Sequence, residues 1–381
     1  MKYFPATLLL LVFSVFFISQ TDAMVKTKAS EVSYEKGRVI SAVHTDNMHY
    51  TQRVRIEVLS GKFKGTVVSI DHMPSSMAGG SMRLKEGDRI IVYAEENPTK
   101  AESPDGKPIF QVSDYQRDLP LLWLGLIFSG LLVLIGGLKG LKSLISLVLT
   151  IAAIFFVLIP LTLKGINPVL ITCIISGVIA AVVFRIVGGN NLKSLSGATG
   201  TALGVTAAGL IAFYTGTFMN LTGVSSEESI MLMYSLKLKL DFAGILFSGI
   251  IIGALGAVMD VGMSIASAIE EVRRVRPESS FLQLFNSGMN VGKDVMGTMS
   301  NTLILAYVGA SLPLIILFIS SEMSLVKIAN MELIAEEVLR ALSGSIGLIL
   351  CIPITAFIST LLFYLSKKKG APSYEPQTKK I

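Results

Sequence analysis

The sequence predicts an α-helical multi-pass membrane bundle of seven transmembrane helices, preceded by an N-terminal extracytoplasmic small β-barrel domain of the OB or SH3-like kind. Three observations predict it. Hydrophobic residues fill 51% of the 381 positions and charged residues only 16%, with a mean hydropathy of +0.65, a balance that a soluble fold would have to bury. After residue 118 the apolar runs each reach the length of about 20 residues that a spanning helix needs. Before it, from Val32 to Tyr115, short β-rich runs alternate with Gly-, Pro-, Asn- and Asp-containing turns. The formal net charge of +6 does not point to nucleic acid, because the basic residues gather at the ends of apolar runs, where cytoplasmic loops carry them.

Lys2, the apolar run Ala6 to Ile18 and the small-residue segment ending at Ala23 form the three parts of a secretory signal over 1–23, either cleaved or kept as an anchor. In both cases the basic end stays inside and the chain beyond residue 23 is exported. The next region, 24–118, carries GRVISAV, QRVRIEVLSG, KGTVVSID, GDRIIVYAE and PIFQVSDY. Five strands in roughly 80 residues fit a closed or nearly closed barrel. OB barrels often bind nucleic acid or sugars, but without an evident run of exposed aromatics the fold analogy settles no ligand. His44, His49, His72, Met73, Met77 and Met82 also fall here, and such side chains suit copper or zinc. Their spacing fits no recognised site, so ordinary turn and surface residues are the preferred reading; neither a metal site nor a cofactor is assigned.

The transmembrane domain, 119–366, divides into Leu119 to Leu138, Leu141 to Leu163, Asn167 to Val187, Ser196 to Asn220, Asp241 to Ile269, Val291 to Ser320 and Leu342 to Leu365, followed by a basic tail, 367–381. With the first span starting outside, alternate joints carry Lys139 and Lys142, then Arg185 and Lys193, then Arg273, Arg274 and Arg276, then Lys367, Lys368 and Lys369. The opposite joints are acidic or mixed, with Glu227, Glu228, Lys237, Asp241, Glu322, Glu332, Glu336 and Glu337. The positive-inside rule therefore agrees with the signal: the β domain lies outside and the carboxyl terminus in the cytoplasm.

Two internal similarities stand out. GGLKGLKSL at Gly136 to Leu144 is similar to GGNNLKSL at Gly188 to Leu195, each joining two spans on the inner side. The fourth and sixth spans each lead outside into a short acidic, amphipathic stretch, SSEESIMLMYSL or NMELIAEEVLRAL. Transporter folds often place their sites between such repeats, although runs of glycine and leucine mimic repetition.

The candidate site begins on the fifth span. Gly249, Gly253, Gly256, Asp260, Ser264, Ser267 and Glu271 recur at spacings of four and three, so on a helix they form one stripe. Small residues at that period let another backbone approach, and a carboxylate further along must face protein or water rather than lipid. Asp260 lies roughly 15 Å of helix before Glu270, in the inner half of the span. On the sixth span Asn290, Asp294, Thr298 and Asn301 form a second stripe, expected to face the first. A hard cation would find oxygen ligands there and a proton two acids. The structural alternatives are a packing carboxylate satisfied by serine or water at Asp260, and an exposed Asp294 paired with Lys293.

On the fourth span Gly200 and Gly204 form a GxxxG within a face of small residues, expected to pack against the fifth span. Pro160, Pro313 and Pro353 fall within spans, where proline kinks or breaks a helix. Cys173 and Cys351 sit inside apolar segments and are expected to be packed, unpaired side chains. No P-loop, metalloprotease helix or nucleophile elbow is present, and no nucleophile and base can be paired, so no enzyme activity is expected.

LGAVMDVGMSIASAIEEV, from Leu255 to Val272, together with NSGMNVGKDVMGTMSNTLILAYVG downstream, resembles the YibE/YibF-like family of bacterial multi-pass membrane proteins. The likeness extends more loosely over the whole chain. It implies a bacterial cell-membrane location and this architecture, and it brings no established substrate.

Two functions are expected on these grounds. The first is a transporter or ion-coupled permease whose partners are the lipid bilayer and protons or a monovalent cation. The alternative is a non-transporting envelope sensor or assembly scaffold that binds an envelope partner through its outer β domain. Oligomeric state is not readable from this pattern.

Overall fold

A computed structural model describes residues 32–44, 52–72, 82–96, 98, 103, 107–235 and 240–368. The signal or anchor at 1–23, His49, Met73, Met77, Lys237 and the tail from 369 lie outside the described residues. The chain divides into two units, Met1–Ile127 and Phe128–Ile381.

The first unit is a curled antiparallel sheet of β1 (Val32–His44), β2 (Gln52–Val58), β3 (Val67–His72), β4 (Arg89–Glu95) and β5 (Ile109–Tyr115), in the order β3-β2-β1-β4-β5. Alternation places it: in β2 the residues Gln52, Val54, Ile56 and Val58 point inward and Arg53 and Arg55 outward. β1 serves two neighbours, pairing with β4 along Val32 to Arg38 and with β2 along Gly37 to His44. The two stretches overlap at Gly37 and Arg38, and a Cβ on Gly37 would stand 2.7 Å from Val92 Cγ2 and 2.9 Å from Ile56 Cγ2. Glycine there lets the strand close over the core of Val39, Val54, Ile56, Ile70, Leu84, Ile90 and Val92. Buried Gln52 is satisfied by one residue, donating to the Leu84 carbonyl at 3.2 Å and accepting from the Leu84 amide at 2.9 Å. Phe63, in the β2–β3 turn, meets Phe110 of β5 edge to face at 5.1 Å, which curls the sheet's ends toward each other.

The helices are α1 (Asp118–Ala153), running through a π-helical turn (Ile154–Leu158) into α2 (Ile159–Leu163), then α3 (Pro168–Gly188), α4 (Leu192–Phe218), α5 (Glu227–Ser235), α6 (Phe242–Val275), α7 (Phe281–Ala310), α8 (Leu312–Ser320), α9 (Leu325–Ala329) and α10 (Glu332–Lys368). Among the described residues, five helical stretches are long and apolar enough to cross a membrane, or six if α7 and α8, bent by 60°, form one broken span. The first of these, Asp118–Leu163, is not straight. Gly137 has φ 55° and ψ −134°, a left-handed conformation that only glycine adopts cheaply, and a Cβ on Gly140 would overlap the Leu132 carbonyl. In a straight helix those residues stand roughly 12 Å apart along the axis, so the chain doubles back here. The similar segment downstream reverses at the matching glycine, Gly189, with φ 85°, and Asn191 then caps α4 by accepting from the Ser194 amide at 2.8 Å.

Two expectations are corrected. The sixth span is not one run from Val291 to Ser320: α7 begins at Phe281, behind a capping box made by Ser280 and Gln283, and breaks at Ser311, with Pro313 in the first turn of α8. The last helix does not begin at Leu342: the stretch NMELIAEEVLRAL is part of it, because α10 runs unbroken from Glu332 through Pro353 to Lys368. Its Ala, Leu, Glu and Arg residues are all good helix formers, and nothing between Met331 and Leu342 stops the helix.

The bundle packs around α4. A Cβ at Gly197 would overlap Phe184 of α3, one at Gly200 would stand 2.9 Å from Thr355 Cα of α10, and one at Gly204 2.7 Å from Cys351 Cβ and 3.1 Å from Val258 Cγ1. The GxxxG thus faces α10 as well as α6. Close approach of this kind is how spanning helices gain packing energy when lipid is as apolar as leucine. Cys351 is fully buried at that contact, and both Cys173 and Cys351 are free thiols.

Candidate functional site

α6 turns its apolar side inward. Ile250, Ile251, Ala254, Leu255, Val258, Val261 and Ile265 are buried, whereas Gly253, Gly256, Asp260, Ser264 and Glu271 are exposed and Ser267 is half-buried. On α7 the buried positions are Leu284, Gly288, Gly292 and Leu303, and Asn290, Asp294, Thr298 and Asn301 are all exposed. The expected backbone contact along Gly249, Gly253 and Gly256 is therefore corrected: a Cβ on Gly256 would meet nothing within 4 Å, one on Gly249 only Arg340 Nη1 at 3.8 Å, and one on Gly253 the Tyr307 hydroxyl. The physical reason is that the continuous aliphatic face of α6 packs against α4 and α10, which sends the small and polar stripe outward.

The hydroxyls beside the two carboxylates are spent on their own helices. Ser264 donates to the Asp260 backbone carbonyl at 2.8 Å and Thr298 to that of Val295 at 3.0 Å. Asp260 and Asp294 carboxylates have no hydrogen-bond or ion-pair partner among the described residues, and Lys293 does not pair with Asp294. Fifteen residues separate Asp260 from Val275 and thirteen separate Phe281 from Asp294. At 1.5 Å per residue, both acids stand roughly 20 Å above the 276–280 connection. α6 and α7 are neighbours along this length, since Gly288 packs on Ile269 and Gly253 meets Tyr307. The polar parts of the two stripes thus lie at matching heights on exposed faces of one hairpin.

The end of α6 beyond them is charged and paired. Lys193 bonds Glu270 at 2.9 Å, Arg274 bonds Glu271 at 2.5 Å, and the Arg273 guanidinium lies 4.9 Å over the Phe363 ring.

A second polar cluster lies at the opposite end, where the sequence reading expected only a short acidic, amphipathic stretch. Glu332 of α10 accepts from the Thr222 hydroxyl at 2.8 Å and the Gly223 amide at 3.2 Å, and Glu336 from the Ser225 hydroxyl at 2.6 Å. Glu337 accepts from Ser311, at the α7–α8 break, at 3.0 Å, and its other oxygen lies 3.4 Å from Arg340 Nε, an ion pair without hydrogen-bond geometry. Arg340 and Glu337 act electrostatically on the Tyr307 hydroxyl, and Arg340, Glu332 and Glu337 on Glu336. Small residues at Gly249 and Gly253 leave the room that Arg340 and Tyr307 occupy. The signal available in the sequence was Glu336 and Arg340 at a spacing of four on a helix-forming stretch directly continuous with an apolar span.

In the first unit His72 Nε2 lies 2.9 Å from the Met82 carbonyl, which occupies that ring nitrogen. Among the described residues no group of three or more His, Cys, Asp or Glu side chains is placed to hold a metal ion.

A family model described as YibE/F-like protein matches residues 124–364, from the first turns of α1 almost to the end of α10. No curated protein and no solved structure matches the chain.

Proposed function

We propose, for a chain that belongs to the YibE/F-like family, that its helical region is an ion-coupled permease in which Asp260 and Asp294 handle a proton or a monovalent cation. One observation carries this reading: two unpartnered carboxylates stand at nearly equal height on the outer faces of adjoining helices α6 and α7. A carboxylate at that depth is too costly to leave against hydrocarbon, so the strip lines water or a polar path. Ser264, Ser267, Asn290, Thr298 and Asn301 extend it with oxygen and amide groups suited to a hydrated ion.

Counting the arms on either side of Gly137 separately, and α7 with α8 as one broken span, gives seven spans. The joint after α3 and the ends of α6 and α10 then share one side, a reading supported by the Lys193–Glu270 pair and by Arg273 over Phe363. That side is basic and is assigned to the cytoplasm. The β unit is then extracytoplasmic, and its strand order β3-β2-β1-β4-β5, with a long shared β1, favours the OB over the SH3-like reading.

The test is uptake of protons, sodium and potassium into proteoliposomes containing wild type or Asp260→Asn, at several pH values. The amide keeps size and hydrogen bonding but removes the ionisable oxygen, so the expected result is normal insertion with ion-dependent flux lost. Equal, pH-independent behaviour of the two proteins would sink the coupling role and favour the scaffold.

A further inference from the structure

The cluster at the outer end of α10 contains three polar atoms that are shut off from solvent and have no hydrogen-bond partner: Glu336 Oε1, Arg340 Nε and the Tyr307 hydroxyl. Glu336 itself is only 6% exposed. We propose that Glu336, Arg340 and Tyr307 form a water-bridged proton-binding site between α6, α7 and α10, with Glu336 as the group that takes the proton. The site is separate from the Asp260–Asp294 strip and does not rest on the permease reading.

The inventory of donors and acceptors leads there. Arg340 Nε only donates, an ionised Glu336 Oε1 only accepts, and Tyr307 does either. Water does both, so bound water joins all three, receiving from Arg340 and Tyr307 and donating to Glu336. The local charge sets the ligand class. Glu336 and Glu337 carry two negative charges against the single positive charge of Arg340, and Glu332 adds a third negative charge beside them. Glu332 and Glu337 already have donors from Thr222, Gly223 and Ser311, whereas Glu336 receives only the Ser225 hydroxyl, on Oε2.

One added positive charge halves this negative excess, and a proton fits better than a metal ion. Calcium asks for six to eight oxygens, roughly, and magnesium for near-octahedral geometry; the fully buried oxygens without a hydrogen bond here are Glu336 Oε1 and the Tyr307 hydroxyl, and the Arg340 guanidinium disfavours a divalent ion on the same cluster. In the loading step a hydronium ion from the bridging water gives its proton to Glu336 Oε1, one O–H bond breaking and one forming, and a water molecule remains. The protonated carboxyl then donates where the carboxylate only accepted, so the bridging water reorients toward Tyr307. The groups that bear on Glu336 are Ser225 from the segment after α4 and Glu332, Glu337 and Arg340 from α10 itself; Tyr307 of α7 shares Arg340 and Glu337 as its charged neighbours.

The test is infrared difference spectroscopy on the full-length protein in lipid nanodiscs, stepping between about pH 4 and pH 9, the span in which a perturbed carboxyl titrates. A protonated carboxylic C=O band from a dry site is expected in wild type, lost in Glu336→Gln and retained in Asp260→Asn. Tyr307→Phe removes one hydroxyl without changing bulk and is expected to shift the frequency of that band, so it carries the test if Glu336→Gln fails to insert. A band that survives Glu336→Gln, or one indifferent to Tyr307→Phe, overturns the proposal. Because no flux is measured, loss of this site and loss of the permease reading are told apart.

Discussion

Gly204 and Gly256 belong to similar small-residue stripes, yet the structure assigns them opposite responses to the same substitution. At Gly204 a Cβ would stand 2.7 Å from Cys351 Cβ, 3.2 Å from Cys351 Cα and 3.1 Å from Val258 Cγ1. Two of those atoms belong to the Cys351 Cα–Cβ unit, so no side-chain rotation relieves the overlap, and α4 and α10 must separate by about 1 Å to reach an ordinary carbon contact near 3.8 Å. Overpacking of this kind costs about 1–3 kcal/mol. At Gly256 the same Cβ meets nothing within 4 Å. Replacing glycine by alanine in a helix interior gains about 1 kcal/mol at either position. Propensity therefore cancels when the two variants are compared, and the difference between them isolates the steric cost. Gly256→Ala is expected to match or exceed wild-type stability, and Gly204→Ala to fall below Gly256→Ala by about 1–3 kcal/mol. Reversible denaturant titration of the purified protein, followed by helical circular dichroism, gives both numbers. Equal loss in the two variants would refute the assignment of α4 to the inside and of the α6 stripe to the outside.

Gly137→Val forces a β-branched residue into φ 55° and ψ −134°, a sparsely populated region that costs about 1–3 kcal/mol, whereas Gly136→Ala beside it should be tolerated; the same denaturant titration separates them, and equal tolerance would argue against a reversal at Gly137. A cysteine at Ser75, which lies outside the described residues, and one at Arg274 are expected to react with an impermeant thiol reagent from opposite sides of the membrane, and labelling from the same side would break the seven-span topology. Arg53 holds the Asp71 carboxyl below the usual carboxylate range through a hydrogen bond at 2.7 Å. Because the folded-state value is depressed, the pair's contribution is present above the unfolded value near pH 4 and lost as pH falls through the folded one; wild type and Asp71→Asn should converge in stability in acid, and a gap that widens there would contradict the pairing.

The five strands were legible because Val54, Ile56 and Val58, or Ile90 and Val92, alternate with polar residues, and that period needs no partner to be seen. Their order was not, since the pairing of β1 with β4 joins residues more than fifty positions apart and leaves no local trace. Hydropathy located the long apolar helices for a similar reason. It missed the break at Ser311 because apolar residues run on both sides of it, and the sole local mark is Pro313. It also placed Glu332, Glu336 and Glu337 in an amphipathic stretch ahead of the last span, although acid residues in the first turns of a helix are favoured by its dipole and α10 simply starts earlier.

The two glycine stripes carry the larger lesson. Periodicity specifies which residues share a face, and both stripes were found that way, but it does not say which face turns inward. That choice depends on what lies across the helix. On α4 the small face is the one that admits Cys351, Thr355 and Val258. On α6 the opposite face offers Ile250, Ile251, Leu255, Val258, Val261 and Ile265, all at most 2% exposed, and it outcompetes the glycines for the bundle interior. The consequence reaches function: because the aliphatic face of α6 goes in, Asp260 goes out, level with Asp294, and the small residues Gly249 and Gly253 are left to make room for Arg340 and Tyr307 rather than for another backbone.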